Sequence, residues 1–306
     1  MTEVFGVVLG QILLMFLYLI IGFVLHRAGL ITKEGSKALA HLLLHCVLPC
    51  VVLKSFCIEY SAQGAVELAV SIAAGAGVLL LSMAVAWFFF RKDPMAQIGV
   101  AFSNAGFMGF PLVTAVLGGD AVFYAAGFVA LLNALQWTYG QTKLSGDKKY
   151  IQLGAVLKNP LVLSLLAGVV IYFCRVPVPQ FFRSPMAAIA GMNAPLAMIV
   201  LGVYLAQTDL KAIFIRPRLY ALSAVRLVVI PLLTIACLLL LPAGWKKIGA
   251  VLVIVNAAPI GSNIAVYAQR LGLDSAYAVQ MVCLSTLLSL VTLPVVLSLA
   301  AMVGFA

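Results

Sequence analysis

The sequence predicts an all-α polytopic membrane protein of ten transmembrane helices, arranged as two inverted five-helix repeats whose fourth and ninth helices are broken. Three observations carry that prediction. The 306-residue chain is 64% hydrophobic and only 9% charged, with a mean hydropathy of +1.17, far above that of a water-soluble domain. Ten apolar runs are near or above the roughly 20 residues that cross a bilayer. The fourth and ninth runs carry matching polar interruptions.

Span 1, residues 4–26, follows Glu3 rather than a basic cluster and is too long for a signal-peptide core, so it reads as a retained helix. Span 2, residues 37–55, contains His41, His45 and Pro49, and span 3 covers 65–90 without interruption. Span 4, residues 95–118, holds SNAGFMGFPL at 103–112, and span 5, residues 120–142, holds Asn133 and Gln136. Residues 1–142 thus form a first repeat, and residues 143–158, the longest connection, form a cytoplasmic linker. The second repeat, 159–306, contributes spans at 159–175, 185–207 with Pro195, 218–241 with Arg226, 246–270 with NAAPIGSN at 256–263, and 274–303. Asn104 and Asn256 lie 152 residues apart, and Pro49 and Pro195 lie 146 apart, so the offsets agree. Because five is odd, the second copy enters the membrane from the opposite side, which makes the repeat inverted.

The net charge of +10 reports orientation rather than a nucleic-acid partner. Loops after spans 1, 3, 5, 7 and 9 carry 13 of the 19 Lys and Arg residues, the opposite loops carry 5, and Arg226 lies within a span. The odd loops are therefore expected in the cytoplasm, with both termini on the non-cytoplasmic side of a cell membrane. Short loops leave no room for a soluble domain. There is no GxxxxGK[ST] phosphate loop and no HExxH zinc pair. The six cysteines lie in or beside apolar spans and read as small buried hydrophobes.

A proline inside a helix removes a backbone donor and displaces the carbonyl four residues earlier. In lipid, freed backbone groups are tolerated only where protein buries them or a wet cavity receives them. Two such breaks at equivalent places in inverted repeats point to a binding site at the membrane midplane. Ser103, Asn104, Gly106, Gly109 and Pro111 are expected to form one half, and Asn256, Pro259, Ser262 and Asn263 the other. Asn104 and Asn256 read as two neutral clamps for a carboxylate, since each can donate a hydrogen bond without a full charge.

The SNAGFMGFP and NAAPIGSN stretches, with the following YAQRLGLDSAYAVQMVCLSTLLSLVTLPVVL, resemble the auxin efflux carrier family of membrane transporters over nearly the whole chain. The pattern of Asn104, Gly109 and Pro111 is the most specific part. The resemblance implies a ten-helix fold in which spans 4 and 9 cross at their broken centres. It also implies a scaffold of spans 1, 2, 6 and 7, a moving transport part of spans 3–5 and 8–10, and a homodimer formed through the scaffold. In this family the substrate carboxylate is held at the crossover by asparagine and exposed helix ends. Asn104, Pro111 and Pro259 match the corresponding positions. The chain lacks the large central loop of the long plant members and has Ser103 where they have proline. A small carboxylate such as malate or malonate is therefore expected ahead of an auxin-like acid.

All nine acidic residues fall in loops or near span ends, which argues against cation exchange on an intramembrane carboxylate. Arg226 is expected either to contribute positive field to an anion site or to pair with backbone carbonyls at a helix break. His41 and His45 share one face of span 2 and are expected to line its packed side; two ligands alone do not make a metal site. Asn133 and Gln136 are candidate cavity-lining groups. No metal or other cofactor is expected. The partners expected are the carboxylate, the lipid bilayer and a second copy of the chain, with no nucleic acid. The leading function is a secondary carrier for a small organic anion working by alternating access. The alternatives are a cation-coupled symporter or antiporter of related fold, a ligand sensor without turnover, and an intramembrane enzyme with Ser103 or Ser262 as nucleophile. The last is disfavoured because no histidine or aspartate lies nearby to activate either serine, so the chain is not expected to be an enzyme.

Overall fold

The computed structural model describes residues 2–147 and 159–305, so most of the expected linker, residues 148–158, lies outside the described residues. Helices account for the regular structure. They are α1 (Thr2–Arg27), α2 (Lys33–Ser55), α3 (Ala62–Phe90), α4 (Pro94–Ala101), α5 (Ala105–Leu117), α6 (Gly119–Ser145) and α7 (Pro160–Phe173). After these come α8 (Gln180–Ala206), α9 (Leu210–Ile215), α10 (Pro217–Leu238), α11 (Lys246–Ala257), α12 (Asn263–Arg270) and α13 (Ser275–Met302). Among the described residues seven helices are long and apolar enough to cross a membrane, namely α1, α2, α3, α6, α8, α10 and α13. The chain is a multi-pass membrane protein. The remaining expected spans are the 14-residue α7 and the pairs α4/α5 and α11/α12, which lie where the sequence places the breaks.

Caps mark many of the helix starts. Thr32, Ser61, Asp93, Asn159, Asp209 and Asp274 each accept a hydrogen bond from a backbone N–H in the first turn of the helix that follows. The prolines of α2 and α10 do not break their helices. Wide π-turns span Leu43–Val47, Ala105–Gly109 and Val225–Val229, each ending two residues before a proline, Pro49, Pro111 or Pro231. The extra residue in such a turn makes room for the pyrrolidine ring against the carbonyl four residues back. At Pro111 this widening coincides with the break; at Pro49 and Pro231 the helix runs on.

The surface is that of a lipid-facing protein. Leu13, Leu17, Val24, Phe181 and Leu240 are exposed, whereas Gln97, Asn133, Asn193, Arg226 and Asn256 are buried. This inverts the soluble pattern. Helices α1 and α8 approach each other at backbone contact: a methyl group added at Gly22 would be driven into the Ile199 backbone, and one at Gly202 into the Leu19 backbone. Small residues that admit backbone contact are the usual device for holding helices together in lipid. At one end of the molecule, Arg218 forms an ion pair with Asp93 at 2.7 Å, and the Tyr277 hydroxyl donates to the same carboxylate at 3.2 Å, tying α10 and α13 to the start of α4.

Two expectations change here. His41 and His45 are exposed rather than packed, with His45 Nδ1 3.0 Å from the His41 carbonyl, because α2 buries the neighbouring stripe of Leu43, Val47 and Val52. Of the cysteines, Cys283 alone is buried, while Cys174 and Cys237 are exposed. A thiol is apolar enough to sit against lipid.

Candidate functional site

The two breaks meet. Phe102 leaves α4 in extended conformation at φ −112°, ψ 117°, and Ser103 pairs with Ile260 in an isolated antiparallel bridge. The Asn104 N–H donates to the Pro259 carbonyl at 2.7 Å and the Gly261 N–H donates to the Phe102 carbonyl at 3.1 Å. Each break thereby supplies the partners that the other lacks, which answers the backbone requirement of a non-helical segment buried in protein. Side chains complete the pairing. Ser103 Oγ donates to the Val255 carbonyl at 2.9 Å, and the Ile260 N–H donates to Ser285 Oγ at 3.2 Å. Position 261 is closely packed: a Cβ there would lie 3.1 Å from the Ser103 carbonyl oxygen and 3.3 Å from that of Phe102.

The junction has two chemically different sides. On one, α5 and α12 begin, and their N-cap residues Asn104 and Ser262 line a small internal cavity of about 20 Å³ together with Asn263 and apolar side chains of α2 and α8. Neither N-cap side chain caps its helix. The partial positive charge of two helix starts is therefore directed at one space with no side-chain acceptor spent on it. Asn263 is held in place from α6, its Nδ2 donating to Gln136 Oε1 at 2.9 Å and to Asn133 Oδ1 at 3.4 Å.

On the other side, α4 and α11 end, and Arg226 receives them. Its Nε donates to the Ala258 carbonyl at 3.2 Å, and Nη1 to the carbonyls of Val100 at 3.0 Å and Ala101 at 3.4 Å. Its Nη2 donates to Asn256 Oδ1 at 3.3 Å. Asn256 Nδ2 donates in turn to Thr234 Oγ1 at 2.9 Å and Ser82 Oγ at 3.2 Å. Arg226 and Asn256 are each 0% exposed. A lone buried cation would cost roughly 3 kcal/mol or more at membrane depth; here the carbonyls at two helix C-termini, where the dipole is negative, accept from it.

The sequence-predicted residues therefore divide. Asn104, Ser262 and Asn263 meet at the cavity; Asn133 and Gln136 stand behind Asn263 and orient it. Asn256 does not line the cavity but is sealed into the Arg226 network, and Ser103 is spent on Val255. Gly109 allows α5 to approach Val255, where a Cβ would meet backbone at 3.2 Å, and Gly106 presents its carbonyl to Asn193. Pro259 contributes its carbonyl to the bridge, and Pro111 lines a larger vestibule of about 440 Å³ near Lys54, Thr114 and Asp120. A second vestibule of about 310 Å³, lined by Lys33, Lys37, Gln207 and Gln269, lies at the opposite end of α2.

Sequence reasoning missed Asn193, whose Nδ2 donates to the Gly106 carbonyl at 2.8 Å across the gap between α8 and α5, and it missed Ser82, Thr234 and Tyr204. Asn193 had a signal: it opens NAP, an asparagine two residues before a proline in an apolar span, a variant of the NAAP motif. Ser82 is one of two serines in the long apolar α3 and carries no such mark.

A multi-pass helical membrane protein whose two interrupted helices pair beside a small cavity bordered by Asn104, Ser262 and Asn263 has the makings of a transporter. The chain matches the family described as Membrane transport protein over residues 7–297 and belongs to it, the auxin efflux carrier family. It is 25% identical over 285 residues to a protein of Methanothermobacter thermautotrophicus named "Uncharacterized transporter", covering 90% of this chain and 92% of that one. It is 27% identical over 218 residues to a Rhizobium meliloti protein named "Putative malonate transporter", covering 67% of this chain and 68% of that one.

Proposed function

We propose that the protein is a secondary carrier for a small carboxylate of the malonate or malate class, working by alternating access at the junction of the two breaks. The observation that carries this reading is the convergence of two helix N-termini on one cavity, with Asn104 and Ser262 as neutral donors there. Helix starts of this kind attract anions. The name of the Rhizobium meliloti relative supports the dicarboxylate class. A cavity of about 20 Å³ has room for about one water, so the substrate enters only when α5 and α12 separate from α2 and α8. In this reading the ten apolar stretches are spans, in two inverted repeats of five. Helices α1, α2, α7 and α8 form a scaffold that dimerises, α3–α6 and α9–α13 move against it, and the two vestibules are the alternating entrances.

Counterflow of radiolabelled malonate into proteoliposomes tests the function, alongside a thermal-shift screen of mono- and dicarboxylates. Transient accumulation against unlabelled internal malonate is expected. A carboxylate that raises the melting temperature without counterflow would make the protein a sensor, and the absence of any shift would remove the carboxylate reading altogether. Orientation has its own test. With the native cysteines replaced, Ser145→Cys should be shielded from an impermeant thiol reagent in intact cells and Ser184→Cys labelled; the reverse pattern overturns the proposed topology.

A further inference from the structure

Arg226 is the only charged side chain among the described residues that is buried from solvent. Among those residues no carboxylate pairs with it; its acceptors are three backbone carbonyls and one amide oxygen. An all-oxygen shell of carbonyls is the donor set of a hard monovalent or divalent cation. Its position is also the one where such a cation would be needed, since α4 and α11 direct their negative C-terminal ends at the same point. The shell is built around the guanidinium. Asn256 spends its amide hydrogens on Thr234 and Ser82, which leaves its carbonyl oxygen facing Arg226.

The geometry points to Arg226 as a resident counter-charge that takes the place of a co-transported cation. The carrier then loads its anion without sodium, potassium or a metal ion, and Arg226 acts as a positioning residue that holds both breaks open toward the cavity. This inference rests on the carrier reading above for its functional half. Its structural half, that the guanidinium fills a cation-shaped shell, stands without it.

The experiment has a flux arm and a stability arm. In proteoliposomes, wild-type malonate counterflow is measured with sodium, potassium or N-methylglucamine as the main cation, and equal initial rates within about twofold are expected. Arg226→Ala should lower the rate at least tenfold, and millimolar guanidinium should restore it at least threefold while tetramethylammonium should not. Arg226→Lys, which keeps the charge but not the fork of donors, should fall between. In detergent, guanidinium or sodium chloride should raise the melting temperature of Arg226→Ala above its value in N-methylglucamine chloride and leave wild type unmoved. Loss of wild-type flux in N-methylglucamine overturns the inference, as does an Arg226→Ala protein with wild-type flux or one that no cation stabilises. If Arg226→Ala does not fold, Arg226→Lys and the wild-type cation series decide. Wild type without malonate flux in any cation counts against the carrier reading alone, and the melting series still decides whether Arg226 fills a cation site.

Discussion

Asn104 and Asn256 each mark a break in the sequence, yet the first borders the cavity and the second is walled off behind it. The difference follows from where each break begins relative to its asparagine. Asn104 comes after the bridging strand residue Ser103 and becomes the N-cap of α5, so it faces the side where helices start. Asn256 comes before the bridge, within the last turn of α11, so it faces the side where helices end. Asn263, the first residue of α12, takes the place beside Asn104 that Asn256 was expected to fill. One residue type thus serves two places, the rim of the cavity and the C-terminal charge compensation around Arg226.

The sharpest test of that division is Asn256→Leu. It leaves one Arg226 donor unpaired and removes the amide hydrogens that Ser82 and Thr234 accept, and the summed loss of one charge-assisted and two neutral hydrogen bonds should destabilise the protein by about 3–5 kcal/mol. A fall in melting temperature of more than about 5 °C is expected; a variant that melts like wild type would mean that the sealed network does not hold the second break together. Asn104→Ala should do the opposite. Loss of one hydrogen bond to a charged ligand should raise the dissociation constant for malonate roughly 10- to 150-fold, read by calorimetry, with little change in melting temperature. Equal binding by variant and wild type would move the site elsewhere. The smallest contrast lies in the glycines. Gly261→Ala pushes a methyl group against two backbone carbonyls, whereas Gly106→Ala meets the flexible Leu48 side chain at 3.1 Å. The former should cost about 1–3 kcal/mol of stability and the latter less than about 1 kcal/mol; a reversed order would mean that the second break yields more easily than the first.

Much of this is legible in the amino-acid sequence. Apolar runs place the helices because crossing a bilayer imposes a length, and Gly, Pro and Asn inside such runs mark interruptions because each weakens backbone continuity. What a run of residues does not encode is direction after an interruption. Once φ and ψ leave helical values, the face on which the next side chain emerges depends on the partner segment, here Pro259 and Ile260 for the first break. That is why Asn104 and Asn256 looked alike and why Ser103 looked like a ligand group. For Arg226 the sequence led as far as pairing with backbone carbonyls at a helix break, but not to which ones: three of its four acceptors are main-chain carbonyls, which every residue has, so no side-chain pattern singles them out. The Gly22 and Gly202 contacts between α1 and α8 are equally silent, since a glycine in an apolar helix marks close approach only once the neighbouring helix is known.

The buried guanidinium also bears on voltage. In the proposed cycle Arg226 travels with the moving helices, so the empty carrier bears one positive charge at the site and the carrier holding a malonate dianion bears one negative charge. A membrane negative inside then acts on both crossings. Moving one charge through the full field corresponds to about 2.3 kcal/mol per 100 mV, enough for a gradient of about fiftyfold. Any electrogenic carrier of a dianion has two such charges' worth of free energy available; Arg226 divides it between the loaded and the empty step. Outward movement of the dianion runs both crossings with the field and inward movement runs both against it, so polarisation favours efflux and slows uptake at each step.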